Sequence, residues 1–86
     1  MRHSPLLKGF ESHQDAAKAI TDLRYDALRD LLYAIAEQLD KDAKADSGRE
    51  RFKLAQSLEN ASFDMLSVAK NINWAWDISE PFMKEG

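Results

Sequence analysis

Residues 44–50 read Lys44-Ala45-Asp46-Ser47-Gly48-Arg49-Glu50 (KADSGRE), and they decide whether the 86-residue chain forms one very long helix or two. Asp46 is a turn former, and Gly48 lowers helix propensity. Ser47 and Glu50 fit the S-x-x-E capping box, in which hydroxyl and carboxylate each satisfy a free N–H at a helix start. The stretch predicts a turn at about 46–48 between two helices. A single helix passing straight through it is the competing reading.

Upstream, Ser12 offers an N-cap, with Asp15 three residues later in the positive end of the helix dipole. From there Ala16, Ile20, Leu23, Ala27, Leu31, Ala34 and Ile35 recur at three- and four-residue steps, and Leu28 and Leu39 widen the stripe. Neither Gly nor Pro falls between Gln14 and Ser47, so a continuous helix over about 13–45 is expected. Downstream, Leu54, Ala55, Leu58, Ala61, Met65, Ala69, Ile72 and Trp76 predict a second helix over about 48–76. Pro81 resists continuation beyond it. Ser4-Pro5 suits a single helical turn ended by Gly9, with Leu6, Leu7 and Phe10 to bury. In the C-terminal segment 77–86, Ile78, Phe82 and Met83 form an apolar clasp able to fold back.

This pattern predicts an all-α fold in one domain, residues 1–86: a long antiparallel helical hairpin with short terminal segments. The first helix carries an apolar arc of about 160°, wider than one seam between two helices hides. A second copy covers the surplus most simply, giving a dimeric four-helix bundle. Its core candidates are Ile20, Leu23, Leu28, Leu31, Ile35, Leu39, Leu58, Met65, Ile72 and Trp76. The competitor is a monomer whose terminal pieces cover the same face. Arg24, Gln38, Arg51 and Ser62 fall inside the stripes. Each either finds a local hydrogen bond or fixes the register of the bundle.

Chemistry is largely excluded. The chain has no Cys, which removes disulfides, thiol catalysis and Cys-ligated metal, and a reducing cytosol is the simplest setting. With 12 basic and 15 acidic residues intermixed, no basic stripe invites nucleic acid. The start MRHSPLLKGFE has no apolar run of signal-peptide length, and no run approaches a membrane span. His3 and His13 lack bundle-type ligand spacing, and no Gly-rich phosphate loop or nucleophile elbow occurs. No catalytic residue, cofactor site or metal site is expected. Asp22, Asp26 and Asp30 form an i, i+4, i+8 row, the basis of a second reading as an accessory or metal-binding bundle. A solvated acidic edge explains the row as well.

One pattern remains. Phe52, Phe63 and Trp74 recur every eleven residues, which brings side chains back to nearly one direction after three turns. They form a ridge roughly opposite Leu58, Met65 and Ile72, with Gln56 and Lys70 among its polar neighbours. Trp74 and Trp76 diverge by about 160° if the helix persists through both. The rings either belong to the interior, covered by the terminal segments or a second copy, or stand exposed. In the exposed case, a chain without catalytic motifs suggests a small cytosolic protein–protein interaction module: an adaptor, regulatory subunit or inhibitor.

Overall fold

The computed structural model describes residues 4–83, and side chains among them up to residue 81. Three helices follow one another: α1 (His13–Thr21), α2 (Tyr25–Gly48) and α3 (Phe52–Met83). Only α2 and α3 pack along their length.

Ser12 caps α1 as expected, its extended backbone letting the hydroxyl accept from the Asp15 N–H at 3.1 Å. The expected continuous first helix is broken at residues 22–24. Thr21 turns its hydroxyl back onto the Ala17 carbonyl (2.8 Å), and Asp22 closes α1. Both are weak helix formers whose side chains compete for backbone groups. Arg24 is then extended, with φ −56° and ψ 144°, and Asp26 restarts the chain in the first turn of α2, where a carboxylate suits the dipole. A break made by Thr and Asp leaves no Gly or Pro to announce it.

The turn at KADSGRE exists, but it lies at residues 49–51 and is built differently. The Glu50 N–H bonds the Ser47 carbonyl (3.0 Å), and the Arg51 N–H bonds the Asp46 carbonyl (2.8 Å). Glu50 sits at φ 62°, in the left-handed region. This is a Schellman termination of α2, and no capping box starts α3. Gly48 stays helical, two residues before the position where glycine's freedom has a use.

The third helix also runs past its expected end at about 76. It continues through Pro81 to Met83, so 77–83 is helix and no separate clasp folds back. Ile78 remains exposed, and the side chains of Phe82 and Met83 lie outside the described residues. Near the start, Ser4 makes a short turn with Leu6 instead of opening a helix, and Leu6 and Leu7 face solvent.

The α2–α3 seam is narrow and made of small residues. Buried Ala36 and Ala43 are seven apart on α2; buried Ala55, Ser62 and Ala69 follow in sevens on α3. Ala36 is 1% exposed and Ala69 0%. The Ser62 hydroxyl donates to the Ala36 carbonyl at 2.7 Å, a contact that needs the backbones to approach closely. That bond sets an antiparallel register placing Ala43 beside Ala55 and Arg29 beside Ala69. One turn further along, Arg29 Nη1 donates to Asn73 Oδ1 at 2.6 Å. Of the polar residues in the stripes, Ser62 is thus a register pin, while Gln38 bonds Asp42 locally and Arg51 pairs with Asp46.

Close approach leaves the large apolar side chains on the flanks. No large side chain is fully buried among the described residues. The Cα frame measures 52 × 28 × 13 Å, with a radius of gyration of 15.6 Å. A compact chain of this length has about 12 Å. The third dimension is a single layer of helix.

Candidate functional site

The small-residue seam divides the α2–α3 layer into two broad faces of different chemistry. At about 100° per residue, the two right-handed antiparallel helices present matching flanks to the same side. One flank carries Leu31, Ile35 and Leu39 on α2 and Leu58, Met65 and Ile72 on α3. The other carries the aromatic series of α3 opposite the charged residues Glu37, Asp40 and Lys44 of α2.

On this second face Phe52 is 63%, Phe63 73% and Trp74 68% exposed. α3 is continuous helix from Phe52 through Trp74, so the eleven-residue spacing is realised as one line of rings along one side. Two hollows of the inter-helix groove lie beside the line. The first, near the loop, is lined by Phe52, Ala55, Gln56 and Glu59 of α3 against Asp40, Ala43, Lys44 and Ser47 of α2. The second, about 350 Å³, has Ala36, Ser62, Phe63 and Leu66 around its apolar part and Glu37, Asp40 and Glu59 around its rim. Lys44 pairs with Asp40 at 3.0 Å, and Gln56 bonds Asn60. Lys70 is exposed between the second hollow and Trp74.

The two tryptophans part company as helical geometry requires. Trp76 is half-buried, with the Arg24 guanidinium over its ring at 5.5 Å from the centroid. Arg24 also forks onto Asp26 through Nε (2.6 Å) and Nη2 (2.9 Å). The hydrogen bond from Arg24 holds the Asp26 carboxyl below its ordinary range, and Asp26 in turn raises the Arg24 guanidinium. This clasp ties the α1–α2 joint to α3.

The candidate core residues divide unevenly. Leu28 is buried; Leu31, Ile35, Leu39, Leu58, Met65, Ile72 and Trp76 are half-buried along the aliphatic side. Ile20 and Leu23 belong to α1 and the joint, so the break at 22–24 removes them from the continuous stripe they were expected to extend. Leu54 and Val68, 45% and 44% exposed, join that side instead. Of the seam, Ala55, Ser62 and Ala69 lie in the expected stripe of the second helix, whereas Ala36 and Ala43 fall outside that of the first, because alanines resemble ordinary helix formers. The signal that marks them is the shared spacing of seven on both helices.

The acidic row does not assemble. Asp26 is taken by Arg24, and Asp30 by Arg29 at 3.0 Å. Among the described residues no group of three or more His, Cys, Asp or Glu is placed to hold a metal ion, and no helix is long and apolar enough to cross a membrane. No family model matches the chain, and no curated protein or solved structure is significantly similar to it.

Proposed function

We propose that this chain is a small protein–protein interaction module without catalytic activity of its own, working in the cytosol as a homodimer and acting as an adaptor, regulatory subunit or inhibitor. The observation carrying this reading is the line of Phe52, Phe63 and Trp74, three large rings exposed in register on a regular helix. Large aromatics left in water on a folded helix have a hydrophobic cost that a partner removes, and such rings supply hot spots at interfaces. Gln56 and Lys70 give the line a polar rim. The grooves beside Phe52 and Phe63 offer indentations for a partner's side chains. The lack of Cys supports the cytosolic setting.

The test replaces Phe63 and Trp74 together with Ser. Because both rings are mostly exposed, the double variant keeps its helical signal and its stability to within about 1 kcal/mol. Capture of the partner from host lysate is lost. Retained capture, or collapse of the fold, contradicts the assignment.

A further inference from the structure

We infer that the second copy docks on the aliphatic face alone, so that the dimer stands back to back and carries two aromatic faces pointing away from each other. This rests on the reading of the aromatic face as the partner site and adds where, and how many times, that site is displayed.

Area is the first argument. A compact monomer of this 9.8 kDa mass exposes about 5,200 Å². This chain exposes 7005 Å², a surplus of about 1,800 Å². A stable interface takes about 800 Å² from each partner. The aliphatic face has that size: α2 is about 36 Å long, and two helices side by side span about 20 Å. The flat footprint is about 700 Å², and the corrugated accessible surface exceeds it. Among the described residues the terminal segments leave this face partly open, since Leu54 and Val68 on it are exposed, as are Leu6 and Leu7 of the N-terminal piece.

Charge is the second argument, and it separates the faces. Leu31, Ile35, Leu39, Leu58, Met65 and Ile72 bring no formal charge. The acids toward the loop end of this flank are engaged within the chain, Asp46 by Arg51 (3.6 Å) and Asp42 by Gln38 (3.1 Å). A twofold axis therefore lays mainly apolar surface on apolar surface. The aromatic face carries Glu37, Asp40 and Glu59 around the Phe63 groove, and among the described residues only Asp40 is paired there, with Lys44 at 3.0 Å. A twofold axis there brings Glu37 and Glu59 toward their own copies, with like-charge repulsion and desolvation opposing contact.

The absence of Cys from the chain makes the test direct. Sedimentation of the intact protein should give about twice 9.8 kDa, and Ile35→Asp should return the monomer mass with its helical signal kept. Should Ile35→Asp unfold, single-cysteine labelling decides. The thiol in Ile35→Cys is protected from maleimide at high protein concentration and loses that protection on dilution. The thiol in Phe63→Cys reacts fast at both. A monomeric intact protein, or a dimer that protects Phe63→Cys, overturns the inference. Loss of the dimer leaves the capture test of Phe63→Ser/Trp74→Ser standing, and failure of that test leaves the sedimentation result standing.

Discussion

At the scale of single residues, the α2 terminus shows a sequence arranged against local preference. Glu50 holds φ 62° where a side chain is disfavoured, while Gly48 occupies a helical position with nothing near the place a Cβ would take. Glu50→Gly should therefore raise stability by up to about 1 kcal/mol. Gly48→Ala should raise it by about 0.5–1 kcal/mol. Urea titration checks both, and a loss in either would contradict the Schellman assignment. KADSGRE announced a turn legibly, yet the same letters fit a capping box and a Schellman end, and only backbone dihedrals separate them. A second residue-scale expectation concerns Asp26. Its folded carboxyl is depressed by the Arg24 hydrogen bond. The stability it contributes is thus present above the ordinary carboxylate value of about 4 and is lost as pH falls through the lower folded value. Asp26→Asn should remove that part of the acid limb in thermal melts taken between neutral pH and strong acid. An unchanged pH profile would show that the clasp does not form in solution.

At the scale of elements, helix type and the Ser12 start were legible, and the other helix ends were not. The apolar steps of three and four identified both long helices, because burial needs a continuous face. The break at Thr21–Arg24 and the run through Pro81 were not legible. The first uses residues whose effect depends on side-chain bonds, and the second lies in a last turn where a missing N–H bond costs little packing. The seam is legible on α3, where Ala55 and Ala69 lie in the apolar stripe, but not on α2, where Leu31, Ile35 and Leu39 outline the stripe and Ala36 and Ala43 make the contact. Ala69 tests this most sharply. In a leucine-packed seam, Ala69→Leu would fill space and stabilise. Here Ala69 is fully buried, and the added methyl groups must push α2 and α3 apart, costing about 1–3 kcal/mol by chemical denaturation. Ser62→Ala should cost about 0.5–1.5 kcal/mol, the worth of the bond to the Ala36 carbonyl.

At the scale of the whole molecule, the close seam and the two unlike faces are one phenomenon. Small residues let the helices approach, and the large side chains are thereby displaced to the two broad sides of a layer 13 Å thick. The ridge of Phe52, Phe63 and Trp74 was readable as a direction on a wheel. Its exposure was not, since that depends on where the terminal segments go and on how little a two-helix layer encloses. The most direct test of an open aromatic face is iodide quenching of two single-tryptophan variants. Trp76→Phe, which leaves Trp74, should be quenched like a solvent-exposed indole in the isolated protein at both low and high protein concentration. Trp74→Phe, which leaves Trp76 beneath Arg24, should be shielded. Shielding of Trp74 to the same degree as Trp76 would contradict the open aromatic face and the partner site placed on it.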